Sequence, residues 1–188
     1  MKIGLVRHFK VKCPHKRLMT SKEFREWSEK YERAGVMKKK VNMYGTKWDV
    51  CYCSDLQRAV TTAKEVYSGK VYIDKLLREV DNIPFIHSEK LVLPFSVWHI
   101  CGRLAWFFKS KSQPESIRGT RRRIRKFLRQ IDWEQENILI VSHGFLIFNI
   151  TWELFRLGFV GKRVHRVRNG ILYEYVCDKS IYEIKRKL

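Results

Sequence analysis

Two arginines and two histidines stand where short apolar runs of the sequence end. Arg7 and His8 close the first run, Arg58 comes soon after the second, and His143 follows the strongest one. In open α/β sheets, ligands bind outside the carboxyl ends of the strands, and right-handed crossovers bring the ends of parallel strands to one edge. We therefore expect these four side chains to share one crevice.

Such a crevice has the residue types that phosphoryl transfer requires. Arginine forks can clamp the charged oxygens of a phosphoryl group, and a neutral imidazole such as His8 can attack phosphorus and carry the group as phosphohistidine. A second imidazole, His143, and the backbone amide of Gly144 at the start of a predicted helix would add hydrogen-bond donors. This chemistry needs no metal ion and no other cofactor.

Each of these residues also has a simpler interpretation when it is taken alone. His8 and His143 could be hydrogen-bonded histidines at strand ends, since such residues are common there. Arg58 could instead pair with Asp55 or Glu65, which lie near it on the same predicted helix. The case for a site therefore rests on the joint occurrence of these residues rather than on any one of them.

The elements that would position these residues alternate between strands and helices. A capping box at Thr20 and Glu23 begins a first helix, and Ser54 is a suitable N-cap for a second. The run from Asn137 to Val141 is continuous and apolar, which is typical of a central strand buried on both faces. Further predicted elements are strands at 48–53 and 71–73 and helices at 54–67, 114–131 and 145–157.

The C-terminal region predicts antiparallel structure. Strand character at 164–167 and 171–176 flanks the pair Asn169-Gly170, which is a strong signal for a tight hairpin turn, and 181–184 is a candidate edge strand. Together the elements predict an α/β fold. We expect a three-layer sandwich with a mostly parallel central sheet, helices on both faces and a C-terminal antiparallel hairpin.

Length and composition predict a single domain over residues 1–188. The chain has 188 residues, of which 45% are hydrophobic, and this is enough for one full core. Residues 84–113 are irregular, interrupted by proline and rich in aromatic side chains. We interpret them as a cap or insertion over the active site.

The cysteines and the apolar runs indicate the compartment. Five cysteines, an odd number without a CxxC pair, predict reduced thiols, and no set of residues has the spacing of zinc ligands. No apolar run reaches the length of a membrane span, and the chain enters its first strand at once, which leaves no room for a signal peptide. We expect a cytoplasmic protein.

The charge balance is unusual, because 39 Lys and Arg against 19 Asp and Glu give a formal net charge of +20. Such a charge attracts polyanions, acidic metabolites or anionic lipid, although a general compositional bias would produce it as well. Part of it lies on one predicted helix, residues 118–129, which is a candidate surface for nucleic acid or an acidic partner. Its basic residues are Arg118, Arg121, Arg122, Arg123, Arg125, Lys126 and Arg129.

Four short motifs resemble, in type and order, those of the histidine phosphatase superfamily, which includes the cofactor-dependent phosphoglycerate mutases. They span roughly residues 1–175 and read Leu5-Val6-Arg7-His8, Ser54-Asp55-Leu56-Gln57-Arg58-Ala59 continuing to Thr62-Ala63, Leu77-Arg78-Glu79 and Val141-Ser142-His143-Gly144. The resemblance implies that His8 is the phosphate-accepting nucleophile. It also implies that Arg7, Arg58 and His143 complete the phosphate pocket.

The same resemblance implies an acid and some substrate contacts. Glu79 matches the family's residue that protonates the leaving oxygen and then activates water, with Asp81 as the fallback. Glu115 and Ser116 resemble a Glu-Ser pair that precedes the long helix in many members and can contact substrate. The sequence departs from the family at Phe9, where glycine is usual, so Phe9 would either narrow the pocket or stack on a substrate ring.

We therefore expect a metal-independent phosphatase that hydrolyses a phosphorylated small molecule. A mutase is disfavoured, because the mutases of the superfamily are generally longer. An alpha-ribazole phosphatase, a sugar-phosphate phosphatase and a protein phosphohistidine phosphatase stay open as alternatives. A different alternative is a catalytically weakened relative that binds nucleic acid or an acidic partner through helix 118–129.

Overall fold

The computed structural model describes all 188 residues, which form two compact units. The first unit consists of Met1–Lys10, Val36–Glu79 and Arg121–Leu188, and the second consists of Val11–Gly35 and Val80–Thr120. Residues 84–113 all belong to the second unit. Their placement over the active site stays a prediction, and so does the description of the chain as one domain.

Strands and helices alternate along most of the chain. The strands are β1 (Lys2–Arg7), β2 (Lys10–Val11), β3 (Leu18–Met19), β4 (Val36–Met37), β5 (Val50–Cys53), β6 (Val71–Ile73), β7 (Leu93–Pro94), β8 (Asn137–Ser142), β9 (Val160–Gly161) and β10 (Leu172–Val176). The helices are α1 (Ser21–Arg33), α2 (Gln57–Val66), α3 (Phe95–Phe107), α4 (Ile117–Gln130), α5 (Gly144–Leu157) and α6 (Ile181–Lys187), with a turn of 3-10 helix at Lys75–Leu77. None of these helices combines the length and apolar character that a membrane span would need.

The first unit is built on a six-stranded sheet with the strand order β6-β5-β8-β1-β10-β9. Strands β6, β5, β8 and β1 run parallel to one another, and β10 is antiparallel to both β1 and β9. In this register Arg7 lies opposite Ser142, so β1 and β8 end side by side. The predicted α/β fold with a mostly parallel central sheet is confirmed.

The central strand β8 is buried on both faces, as its continuous apolar sequence predicts. Leu139 and Val141 pack with Ala59 and Ala63 of α2 in one hydrophobic cluster. Ile140 points to the other face of the sheet, because side chains alternate along a strand, and it is also fully buried. The centre of the sheet is therefore covered on both faces.

The predicted C-terminal antiparallel hairpin is present as β9 and β10, but its first strand is Val160–Gly161 rather than residues 164–167. Residues 164–167 form no strand, and β10 instead pairs with β1 along its length and with β9 at its end. The pair Asn169-Gly170 does form a turn, with Gly170 at φ 58°. However, this turn is bound to the end of β1, where the Gly170 amide donates to the Arg7 carbonyl oxygen at 2.8 Å, so it cannot close a tight hairpin.

Two further predictions about element boundaries are also wrong. The candidate edge strand at 181–184 is the start of α6, because Ser180 and Glu183 form a capping box that favours a helix. Helix α2 begins at Gln57 rather than at Ser54. The reason is that the Ser54 amide donates to the Val141 carbonyl oxygen at 3.1 Å, which continues the sheet by one residue.

The second unit has its own small core. Helix α1 begins at the predicted capping box, in which Thr20 and Glu23 bond each other's backbone amides. Phe24 of α1 packs with Met19 and with Trp98 of α3. Because the Trp98 indole also donates to the Met19 carbonyl oxygen at 2.8 Å, its one polar group is satisfied inside this core.

Several arginines of the basic helix 118–129 are hydrogen-bonded to other parts of the protein. Arg123 donates to the carbonyl oxygens of Leu76 and Arg78, each at 2.7 Å. Arg125 donates to the carboxylate of Glu153 at 2.9 Å, and Arg129 donates to the carbonyl oxygen of Leu188. These three arginines therefore have structural partners, and a nucleic-acid partner for the helix stays a prediction.

Candidate active site

The end of β1 holds Arg7 and His8 in place through backbone hydrogen bonds on two sides. On one side the His8 amide donates to the Ser142 carbonyl oxygen of β8 at 2.9 Å. On the other side, the Gly170 amide donates to the Arg7 carbonyl oxygen and the Asn169 side-chain amide donates to the His8 carbonyl oxygen, both at 2.8 Å. The backbone of Arg7 and His8 is thus held by residues that are distant in the sequence.

The His8 ring is neutral and has one free lone pair. Its Nδ1 lies 2.7 Å from the Phe9 carbonyl oxygen, which can only accept, so Nδ1 carries the proton and Nε2 keeps its lone pair. Burial, followed by the positive charges of Arg58 and Arg7, lowers the pKa of His8 from 6.5 to about 3 despite the hydrogen bond to Phe9. An imidazole in this state is a nucleophile at neutral pH.

The His143 ring is neutral too, but it has the opposite tautomer. Its Nδ1 accepts a hydrogen bond from Nε of Arg58 at 3.3 Å, so the proton lies on Nε2. That Nε2 is buried and has no hydrogen-bond partner. Burial, followed by electrostatic coupling to His8 and Arg58, lowers the pKa of His143 well below 6.5. The two rings lie 5.0 Å apart between centroids and are tilted by 56°.

Arg7 and Arg58 add two guanidinium groups close to these rings. Arg58 is only 4% exposed and lies in the first turn of α2. Arg7 donates from Nη1 to the Val167 carbonyl oxygen at 2.8 Å, while its Nε is buried without a partner. Because a buried donor without an acceptor is costly, Nε of Arg7 and Nε2 of His143 indicate a place for an anion.

Gly144 follows His143 at the N-terminus of α5 and lies against the Arg7 guanidinium. A methyl group at this position would lie 3.0 Å from both Cζ and Nε of Arg7. A side chain at this position would therefore require the Arg7 guanidinium to move by a few tenths of an ångström. The placement of Gly144 at a helix N-terminus suits the anion-binding role predicted for its amide.

Glu79 is held at the same helix end. One carboxylate oxygen accepts from the Phe145 amide at 3.1 Å and the other from the Leu146 amide at 2.9 Å, so the carboxylate caps the first turn of α5. The fallback acid, Asp81, is exposed and belongs to the second unit. Of the two candidate acids, only Glu79 belongs to the first unit.

The remaining candidate residues have other surroundings. The Phe9 side chain is fully buried, and its amide donates to Oγ1 of Thr62 at 2.9 Å. The ring therefore has no exposed surface for stacking on a substrate, and its other predicted role, narrowing the pocket, stays a prediction. Glu115 and Ser116 lie in the second unit at the start of α4, where Oγ of Ser116 accepts from the Gly119 amide at 3.4 Å. That geometry is a helix cap.

The first unit therefore brings six candidate residues to the carboxyl ends of β1, β5 and β8 and to the starts of α2 and α5: Arg7, His8, Arg58, Glu79, His143 and Gly144. Sequence reasoning missed Asn169, whose side-chain amide lies 2.8 Å from the His8 carbonyl oxygen and 3.4 Å from that of Phe9. No local signal indicates this contact, because Asn-Gly is typical of a hairpin turn.

Several solved structures share the fold of this chain. The alpha-ribazole phosphatase from Shigella flexneri has a TM-score of 0.55 and 20% sequence identity, covering 93% of this chain and 89% of the other. A mycobacterial glucosyl-3-phosphoglycerate phosphatase has a TM-score of 0.53 and 16% identity, covering 92% and 88%. Mycobacterial hydrolase 2 has a TM-score of 0.57 and 16% identity, covering 97% and 85%. At these identities the similarity shows the fold.

Comparison of the sequence itself gives the family. A search of curated protein sequences finds no significant match. The family model of the histidine phosphatase superfamily, branch 1, matches residues 32–187. The matched region includes Arg58, Glu79 and His143 and begins after Arg7 and His8. Because the match covers most of the chain, the protein belongs to the histidine phosphatase superfamily.

Proposed function

We propose that this protein is a metal-independent phosphatase that hydrolyses a phosphorylated small molecule through a phosphohistidine on His8. The observation that carries the proposal is the pair of complementary imidazoles. His8 offers the lone pair of Nε2, and His143, 5.0 Å away between ring centroids, offers an Nε2 hydrogen that has no partner in the protein. A nucleophile beside a hydrogen-bond donor suits attack on a phosphoryl group.

The first half of the reaction forms the phosphoenzyme. Nε2 of His8 attacks phosphorus, the N–P bond forms and the ester P–O bond breaks. Glu79 gives its proton to the leaving oxygen, so the alcohol leaves in its neutral form. Arg7, Arg58 and His143 hold the phosphoryl oxygens throughout, because their donors are placed before the reaction begins.

The second half returns the enzyme to its starting state. Glu79, now a carboxylate, takes a proton from a water molecule, whose oxygen attacks phosphorus while the N–P bond breaks. Inorganic phosphate leaves, and both His8 and Glu79 regain their initial states. Since one oxygen of Glu79 bonds the Phe145 amide and the other the Leu146 amide, the proton would occupy a second lone pair of either oxygen.

The choice of phosphatase over mutase and the substrate class are part of this proposal. Two of the similar structures are an alpha-ribazole phosphatase and a glucosyl-3-phosphoglycerate phosphatase. The names of both enzymes indicate small phosphorylated molecules as substrates. We propose the same broad substrate class for this chain. Release of phosphate from alpha-ribazole phosphate, sugar phosphates and a phosphohistidine peptide, measured side by side, would separate the alternatives.

Hydrolysis of p-nitrophenyl phosphate in the presence of EDTA tests the proposal. We expect turnover by the wild type, none by His8→Ala, and a radiolabelled, acid-labile phosphoenzyme that is missing in His8→Ala. His165→Ala is a matched control, because His165 is an exposed histidine of the same unit. Absence of turnover on a broad panel of phosphomonoesters at acidic and neutral pH would refute the proposal, and so would an unimpaired His8→Ala enzyme.

A further inference from the structure

Helix α3 in the second unit exposes an apolar face. The exposed fractions are 59% for Ile100, 50% for Leu104, 53% for Phe107 and 74% for Phe108. These four residues form the α3 apolar face. Ile100, Leu104 and Phe107 are spaced by four and three residues, which places them on one side of α3, and Phe108 follows as the C-cap of the helix. An exposed patch of large apolar side chains is typical of a surface that binds another protein or a membrane.

The opposite side of α3 already has its partners. Trp98, Gly102 and Trp106 are the buried residues of the helix, and at 3.6 residues per turn they lie about half a turn away from the α3 apolar face. Trp98 belongs to the core of the second unit, and the Trp106 indole donates to Thr120 at 3.0 Å. The exposed face is therefore a second apolar surface, which the packing of the helix does not require.

The charged residues of the chain segment that contains α3 have one sign. Between Lys90 and Pro114 the sequence contains no Asp or Glu, and its charged residues are Lys90, Arg103, Lys109 and Lys111. Lys109 and Lys111 are exposed and lie within three residues of Phe108. An apolar helix face that ends in exposed lysines is complementary to a surface that is both apolar and negatively charged.

We propose that the α3 apolar face docks on the surface of an anionic lipid bilayer. Its apolar side chains would enter the boundary between headgroups and acyl chains, and Lys109 and Lys111 would reach the lipid phosphates. A second copy of the chain is a poorer occupant, because two copies that each have a formal net charge of +20 repel one another. The net charge of +20 adds long-range attraction to the same surface.

Co-sedimentation of the full chain with vesicles tests this proposal. We expect binding to vesicles of phosphatidylcholine with phosphatidylserine and little binding to phosphatidylcholine alone. Phe107→Glu should lower the partition coefficient about ten-fold or more, because it removes an apolar group that enters the bilayer and adds a charge that the anionic headgroups repel. Val160→Glu is the matched control, since Val160 is an apolar residue of the first unit with 75% exposure, and it should change binding by less than about two-fold.

A second pair of variants separates apolar insertion from net charge. Phe107→Ser leaves the charge of +20 unchanged and should still weaken binding to anionic vesicles several-fold, whereas Val160→Ser should not. Circular dichroism and thermal melting would show that each variant is folded. Equal losses of vesicle binding in the Phe107 and Val160 variants would overturn the proposal. Equal binding to vesicles with and without phosphatidylserine would overturn it as well. Self-association that Phe107→Glu abolishes, without vesicle binding, would point to a second copy and overturn it too.

Discussion

Arg58 donates from Nε to Nδ1 of His143 across 3.3 Å, and this one contact sets the proton position on the second histidine of the site. It leaves the proton of His143 on Nε2, whereas the Phe9 carbonyl oxygen holds the proton of His8 on Nδ1. The two rings therefore offer a donor and a lone pair. Arg58 has a positioning role here as well as its proposed contact with phosphate.

Alanine at Gly144 should weaken phosphate binding. The added methyl group would lie 3.0 Å from Cζ of Arg7 and displace the guanidinium. Losing one charge-assisted hydrogen bond to phosphate costs roughly ten-fold in affinity, so the inhibition constant of inorganic phosphate should rise by about that factor. Gly35→Ala is the control, because a methyl group there meets nothing within 4 Å. An unchanged inhibition constant in Gly144→Ala would contradict the assigned role of Arg7.

Removing the Asn169 side chain should slow phosphoenzyme formation. Asn169 donates to the carbonyl oxygens of His8 and Phe9, and the latter also accepts from Nδ1 of His8. We expect Asn169→Ala to lower kcat about ten-fold with a nearly unchanged KM, because the orientation of the nucleophile changes while the phosphate ligands stay. Single-turnover kinetics would measure this. Asn42→Ala, in an exposed loop, is the control, and a rise in KM alone would contradict the positioning role.

Glutamine at Glu79 should affect substrates with poor leaving groups most. An alkyl alcohol must be protonated as it leaves, whereas p-nitrophenolate leaves without help, so turnover of alkyl phosphates should fall much further. Steady-state rates on the two substrates, with Glu65→Gln as an exposed control, would test this. Equal losses on both substrates, together with a lower melting temperature, would mean that Glu79 acts only as the cap that bonds the Phe145 and Leu146 amides.

His8 should stay neutral in mildly acidic solution. Burial and the charges of Arg58 and Arg7 lower its pKa to about 3, so nitrogen-15 NMR of the free enzyme should show a neutral ring with the proton on Nδ1 at about pH 5. Arg58→Met should raise this pKa, although burial keeps it below 6.5. A midpoint near 6.5 in the wild type would contradict the environment described for His8.

The lowered pKa of His8 should also make the stability of the fold depend on pH. Below pH 6.5 the unfolded chain binds a proton on this histidine, whereas the folded protein does not until the pH approaches about 3. The free energy of unfolding should therefore fall as the pH drops through this window. Urea denaturation of wild type and His8→Gln as a function of pH would measure it, and the pH dependence should be shallower in the variant.

Glu153 should stabilise the fold in a pH-dependent way. This residue is 3% exposed; burial alone would raise its pKa, but hydrogen bonds from Arg125 and Arg156 lower it below 4.5. Its contribution is complete above about pH 4.5 and is lost as the pH falls through the folded pKa. Glu153→Gln should cost about 1–3 kcal/mol at neutral pH and less in acid, as measured by urea denaturation. A pH-independent difference would argue against the ionic contribution.

The sequence by itself determined the local elements and the types of residue at the strand ends. Apolar runs such as 137–141 predict buried strands, because a strand covered on both faces needs apolar side chains at every position. The capping box at Thr20 and Glu23 predicts the start of α1, because its partners are three residues apart. These patterns depend only on neighbours along the chain, so they can be recognised without the fold.

Only the tertiary structure decided which distant groups meet. The turn at Asn169 could serve a hairpin equally well, but β10 pairs with β1 and brings this turn to the carbonyl oxygens of Arg7 and His8, about 160 residues away. The burial of Phe9 and the opposite tautomers of His8 and His143 also follow from contacts between separate elements. Strand pairing and proton position depend on which acceptor lies within hydrogen-bond distance, and local sequence patterns do not contain that information.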